Sequence, residues 1–88
     1  MTEALDANVI LITGAMSDIG RATARAFARL GYAVVLNHRC QPESVQSFAE
    51  MLRKDDGAPA VLPVQADVRA RSEVATMFEQ ALRAFGKV

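Results

Sequence analysis

Eight residues, Thr13-Gly14-Ala15-Met16-Ser17-Asp18-Ile19-Gly20, join an apolar run to a helix-forming run, and they carry the most readable chemistry in the chain. A glycine-bearing turn that feeds a helix N-terminus presents unpaired N–H groups and roughly half a positive charge, which attracts phosphate. Small residues let the backbone approach such a ligand. Gly14 can take positive φ at the tight turn, and Gly20 permits close packing of helix on strand. The same glycines would also serve an ordinary turn and an ordinary packing contact. Spacing excludes two other phosphate motifs: no Lys and Ser/Thr follow where a Walker loop needs them, and no glycine lies between Gly14 and Gly20, so G-x-G-x-x-G is missing.

Two more polar clusters end apolar runs. The first is Asn37-His38-Arg39-Cys40 and the second is Asp67-Val68. A guanidinium such as Arg39 suits an anion but also suits plain solvent. His38 reads as a surface or strand-end residue rather than a base. Cys40 reads as a partly exposed thiol with no His or acid framework for nucleophilic work. Asp67 either caps the helix that follows or contacts a ligand. Arg21, Arg25 and Arg29 repeat at i, i+4 steps and read as a solvated helix face.

The elements that must position these residues follow from periodicity. Val9 to Thr13 and Tyr32 to Asn37 are apolar without alternation, the pattern of strands covered on both faces in a parallel sheet. Ala60 to Gln65 is a third strand, with Pro63 tolerable only at an edge. In the first helix, Ile19, Ala22, Thr23, Ala26, Phe27 and Leu30 form one continuous stripe, expected to face the core, and Gly31 ends it. Pro42 opens a second helix whose apolar face is Val45, Phe48, Ala49 and Leu52. A third helix runs from about Arg71 to Phe85, with Val74, Met77, Phe78, Ala81 and Phe85 inward and Gly86 at its end. The βαβαβα alternation predicts an α/β fold, the first half of a doubly wound parallel sheet, with strand order 3-2-1. That order puts the very apolar first strand at an edge, a position proteins usually cover. The expectation is therefore an incomplete fold that needs later residues or a partner chain.

Composition narrows the function. The chain has 88 residues, 51% of them hydrophobic, and a formal net charge of zero. That suits one small domain, marginal by itself. The charge balance argues against a nucleic-acid partner. Residues 1–7 form a polar leader, expected to fray, with no basic cluster of a signal peptide, and no apolar run approaches a membrane span. One Cys fits a reducing, cytoplasmic setting.

Thr13 to Gly20, followed by Arg21-Ala22, resembles the T-G-x-x-x-G-x-G loop of the short-chain dehydrogenase/reductase family. Asn37-His38-Arg39 falls where that family reads the adenosine ribose, and Asp67-Val68 resembles the pair that meets adenine. Phe85-Gly86-Lys87-Val88 resembles the segment before the family's fourth strand. The resemblance covers residues 9–88. It implies that 1–88 are the N-terminal part of a single NAD(P)-binding Rossmann domain, with Gly14, Ala15, Met16, Ser17, Asp18, Ile19, Asn37, His38, Arg39, Asp67 and Val68 at the cofactor. Asp18 replaces the family's middle glycine, which is tolerable if its side chain turns outward or caps the helix.

The acid typical of NAD-selective members is missing, because His38 stands in its place. Arg39 can pair with a 2′-phosphate, so the expected cofactor is NADP(H) rather than NAD(H). The resemblance implies hydride transfer between nicotinamide and a small carbonyl/alcohol substrate, and a homo-oligomer. Family catalysis uses Tyr-x-x-x-Lys. The only tyrosine is Tyr32, position 36 is Leu, and neither Lys54 nor Lys87 has a tyrosine four residues before it. No residue of this chain is assigned a catalytic or metal-binding role. The alternatives are a non-catalytic nucleotide-binding module, which Asp18 favours, or a truncated product that works through a partner chain.

Overall fold

The structure is a computed structural model that describes residues 6–39 and 42–88. The leader over residues 1–5 and Cys40 lie outside the described residues. β1 (Val9–Ile12), α1 (Asp18–Arg29), β2 (Ala33–His38), α2 (Pro42–Lys54), β3 (Val61–Gln65) and α3 (Arg71–Phe85) alternate as the hydropathy pattern predicts. The three strands form one parallel sheet in the order β1-β2-β3, with Val9 opposite Ala33 and Val34 opposite Val61. β2 is central and buried along its whole length, which is why its sequence is apolar without alternation.

Both edges can be read from the ladder. Val34 N–H donates to Ala60 O and Ala66 N–H donates to His38 O, each at 3.0 Å. The even-numbered residues of β3 therefore turn their backbone toward β2, and Pro63 turns its missing donor toward the free edge, where no ladder bond is lost. Arg53 Nη1 donates to the outward-facing Val61 carbonyl (3.2 Å). On the other side, Ala33 N–H donates to Asn8 O (2.8 Å). By the same parity, the backbone groups of Val9 and Leu11 face an edge that no described strand covers. Among the described residues no helix is long and apolar enough to cross a membrane.

Two apolar layers sandwich the sheet. On one face Ile12, Val34, Leu36 and Val61 meet Ala24 and Ala28 of α1 and Val45, Phe48, Ala49 and Leu52 of α2. On the other, Val9, Val35 and Val64 meet Met77, Ala81 and Phe85 of α3. Fully buried residues such as Leu36, Leu52 and Met77 each contribute roughly 1.5–3 kcal/mol relative to exposure. The face expected of α2 is the face it buries.

α1 departs from expectation. Its buried residues are Gly20, Ala24 and Ala28, not the stripe from Ile19 to Leu30. Ile19 is 82% exposed and Leu30 72% exposed, Ala22 and Ala26 are exposed, and Thr23 and Phe27 are half-buried. The reason is distance. A row of small residues at i, i+4, i+8 lets the helix sit close on the sheet, and a bulky row there would push it away. Thr23 donates its hydroxyl to Ile19 O (2.8 Å), and Phe27 packs edge-on against Tyr32 at 4.9 Å. In α3, Phe78 is likewise 42% exposed rather than inward.

Nor do the α1 arginines form a plain solvated face. Arg25 Nε and Arg29 Nε donate to opposite carboxylate oxygens of Asp56 at 3.0 and 2.9 Å, and the Asp56 side chain is only 1% exposed. Arg21 instead lies over the Phe48 ring at 5.8 Å. Burial alone would push the Asp56 carboxyl up. The hydrogen bonds and charges of Arg25 and Arg29 outweigh it and hold the group below its ordinary value near 3.8.

Removing both cations with Arg25→Ala/Arg29→Ala leaves a buried carboxylate unpaired and is expected to cost about 3 kcal/mol in urea denaturation, more than Asp56→Asn alone. A depressed carboxyl pKa contributes stability above the unfolded-state value and loses it as pH falls through the folded-state value. The stability gap between wild type and Asp56→Asn is therefore expected to be constant from pH 5 to 8 and to close below about pH 4.

Candidate functional site

The turn between β1 and α1 is built from its own backbone. Gly14 adopts φ +59°, the left-handed region that glycine enters without strain. Ser17 N–H donates to Gly14 O (3.1 Å), and the Ser17 hydroxyl donates to the same carbonyl (2.9 Å). Ser17 Oγ also accepts from Gly20 N–H (3.0 Å), so Ser17 is the N-cap of α1. Asp18 is not the cap. It is the first helical residue, exposed, with its carboxylate at the positive end of the helix. The N–H groups of Asp18 and Ile19 have no acceptor among the described residues, the donor pair expected at an open helix start. Gly20 lies directly on the turn. A Cβ there would stand 2.8 and 2.9 Å from Ala15 Cα and C and closer still to Gly14 O, all of them backbone atoms.

Asn37 fixes this turn to the sheet. Its Oδ1 accepts from Gly14 N–H (3.2 Å), its carbonyl accepts from Ala15 N–H (3.0 Å), and its Nδ2 donates to Ala66 O (3.1 Å). The side chain is buried, and both ends of its amide are engaged within the protein. His38 is buried as well, and that burial holds its imidazole below the ordinary value. Among the described residues of the cluster expected at the end of β2, Arg39 is the one that projects into solvent, its side chain 68% exposed.

A cleft of about 270 Å³ opens at the carboxyl ends of the strands. It brings together Gly14, Asn37, Arg39, Asp67 and Val68 of the residues singled out from sequence. Ala15 is fully buried behind the turn, and Met16 packs against the α1/α2 core. Ser17, Asp18 and Ile19 do not line the cleft; they form the exposed start of α1 that follows the Gly14 turn. Open α/β sheets place ligands in such crevices outside the strand ends.

Asp67 does not cap α3, whose N-cap is Ala70 without a side-chain bond. Its N–H donates to Glu73 Oε1 (3.0 Å), and its carboxylate is gripped by Arg69. Arg69 Nε and backbone N–H both donate to Oδ1 at 3.0 Å, and Nη2 donates to Oδ2 at 2.9 Å. Arg39 Nη2 lies 3.6 Å from the same Oδ2. These contacts, those of Arg69 first, hold the Asp67 carboxyl well below the usual range and raise the Arg69 guanidinium. Sequence reasoning missed Arg69, Glu73 and Asp56. The Asp-x-Arg spacing at 67–69 was the available signal for the first.

Comparison with known proteins accords with this geometry. The family model described as short chain dehydrogenase matches residues 8–88. The chain is 32% identical over 87 residues to elsinochrome reductase 1 of Elsinoe fawcettii, covering 99% of this chain and 32% of that protein. Its fold superposes on L-sorbose reductase from Gluconobacter frateurii complexed with NADPH and L-sorbose, with a TM-score of 0.83 and 32% identity over 98% of this chain and 32% of that one. It also superposes on an alcohol dehydrogenase from Thermococcus sibiricus complexed with 5-hydroxy-NADP, with a TM-score of 0.79 and 34% identity over 88% of this chain and 32% of that one. The chain belongs to the short-chain dehydrogenase family. It spans about a third of the length of the relatives it matches.

Gly20→Ala drives a methyl group into backbone and is expected to destabilise the protein by about 1–3 kcal/mol. Asn37→Ala strands the Gly14 N–H and the Ala66 carbonyl, at about 1–3 kcal/mol for a buried unpaired group. Urea denaturation of both variants measures these losses. Wild-type stability in either would contradict the bracing geometry.

Proposed function

We propose that residues 1–88 are the N-terminal part of a single NAD(P)-binding domain, and that the whole protein is an NADP(H)-dependent oxidoreductase. The observation that carries this reading is the open start of α1, where the Asp18 and Ile19 N–H groups have no acceptor among the described residues. It follows a turn whose Gly14 lines a cleft together with Arg39, an exposed guanidinium that, unlike Arg69, makes no hydrogen bond to Asp67. A dinucleotide pyrophosphate is an anion suited to those donors. The Asp18 and Ile19 N–H groups would hold it, with Gly14, Ala15, Met16 and Ser17 forming the turn that presents them; the Gly14, Ala15 and Ser17 N–H groups are already engaged by Asn37 and by Gly14 O. Arg39 would take the 2′-phosphate, and Asp67 and Val68 would meet the adenine. Asn37 and His38 would support the ribose side from behind Arg39, since both are buried. No carboxylate stands at position 38 to repel a 2′-phosphate. Asp18 is compatible with this arrangement because its side chain is exposed at the helix start. The solved relatives complexed with NADPH and with 5-hydroxy-NADP support the same cofactor class.

A nicotinamide cofactor held there would provide hydride chemistry for a carbonyl/alcohol pair. The residues here bind and orient. Tyr32 lies at the start of β2, at the end of the sheet opposite the cleft, with its ring against Phe27. It is remote from the proposed chemistry, so the proton-transferring groups would come from residues beyond this chain. The β1 edge, which no described strand covers, and the exposed Ile19, Leu30 and Leu82 support completion of the domain by further residues.

Fluorescence titration of the full-length protein with NADPH and NADH tests the reading. NADPH is expected to bind at least ten-fold more tightly than NADH. Arg39→Asp is expected to weaken NADPH binding by an order of magnitude or more, and an unchanged NADPH Kd in that variant would overturn the assignment.

A further inference from the structure

We propose that Arg69 is a positioning residue that sets cofactor selectivity: by occupying the Asp67 carboxylate it leaves the Arg39 guanidinium available to a 2′-phosphate. This inference rests on the NADP(H) reading above and adds to it a residue and a mechanism.

Among the described residues Asp67 is the one carboxylate lining the cleft, and it sits between two guanidiniums. The two contacts are unequal. Arg69 meets it fork to fork, with Nε to Oδ1 at 3.0 Å and Nη2 to Oδ2 at 2.9 Å. That bidentate, charge-assisted pairing is the strong kind. The Arg69 backbone N–H adds a third bond to Oδ1 at 3.0 Å. The nearest approach of Arg39 is Nη2 to Oδ2 at 3.6 Å, longer than a hydrogen bond.

The inequality has a functional consequence. A bare carboxylate at this distance would capture Arg39, since Arg39 Nη2 already lies 3.6 Å from Oδ2. It would also place a negative charge where a phosphate must arrive. Arg69 removes both obstacles. It fills both sites on Oδ1 and one on Oδ2, leaving Arg39 a single acceptor site on Oδ2, and it cancels the charge locally. Arg69 is only two residues from Asp67, so little chain entropy opposes the pair. Glu73 Oε1 fixes the same segment by accepting from Asp67 N–H at 3.0 Å. Arg39, with its side chain 68% exposed, can then turn to a dianion without breaking a hydrogen bond. A lysine at position 69 would supply the charge but not the fork.

The test is the ratio of NADPH and NADH dissociation constants in the full-length protein. Effects shared by both cofactors, such as a loosened loop or a lost adenine contact, cancel in that ratio. Arg69→Ala is expected to reduce the preference for NADPH about ten-fold, and Arg69→Lys to reduce it less. Adding Asp67→Asn to Arg69→Ala removes the competing carboxylate and is expected to restore the preference to within about three-fold of wild type. A ratio unchanged in Arg69→Ala, when Arg39→Ala abolishes the preference, overturns the role of Arg69 and leaves the NADP(H) reading standing. Loss of preference in Arg69→Ala without rescue in the double variant overturns the action through Asp67. A wild-type protein without preference for NADPH, or one indifferent to Arg39→Ala, overturns the NADP(H) reading itself.

Discussion

The carboxamide of Asn37 ties the ends of the strands together. It accepts from the turn after β1, belongs to β2, and donates to the residue after β3. A parallel sheet splays its strand ends into loops, and the loops carry the ligand groups. Without a bridge, the Gly14 turn and the Ala66–Asp67 segment would each move on their own strand. With it, the start of α1 and the Arg39–Asp67–Arg69 cluster share one frame. The engaged amide also explains why a polar residue tolerates burial here, since each of its groups has a partner.

A second constraint is the close seat of α1. Gly20 touches backbone atoms of the turn, and Ala24 and Ala28 continue the contact along the sheet. The bulkier apolar residues of α1 are displaced outward as a result, and the Arg25–Asp56–Arg29 cluster secures the helix from its side. The exposed apolar residues of α1 and α3 and the free edge of β1 belong to a chain that spans about a third of its relatives' length.

Two carboxylates, each between two arginines, illustrate how burial divides similar chemistry. Asp56 is nearly sealed, so its ion pairs fasten α1 to the turn before β3. Asp67 is 29% exposed at the cleft, and its second arginine stays loosely held. Water and incoming anions compete for the Asp67 carboxylate, whereas the Asp56 carboxylate is shielded even though its arginines are 41% and 60% exposed.

Much was legible before the fold was seen. The order of elements, the bounds of α2 and α3, the parallel sheet, the edge position of Pro63 and the positive φ of Gly14 follow from local pattern and from steric rules of single residues. The family was legible from the Gly14–Gly20 loop with the clusters at 37–39 and 67–68. The buried face of α1 was not, because helical periodicity identifies a stripe and not which stripe the sheet will admit, and the close seat admits only the small one. The partners of Asp56 and Asn37 lie 27 to 31 and 23 to 29 residues away, beyond any local spacing rule. The sequence by itself determined the elements and the kind of site. The tertiary structure alone decided which side chains brace that site and which remain free to meet a ligand, because those choices depend on distances between segments that only the folded sheet brings together.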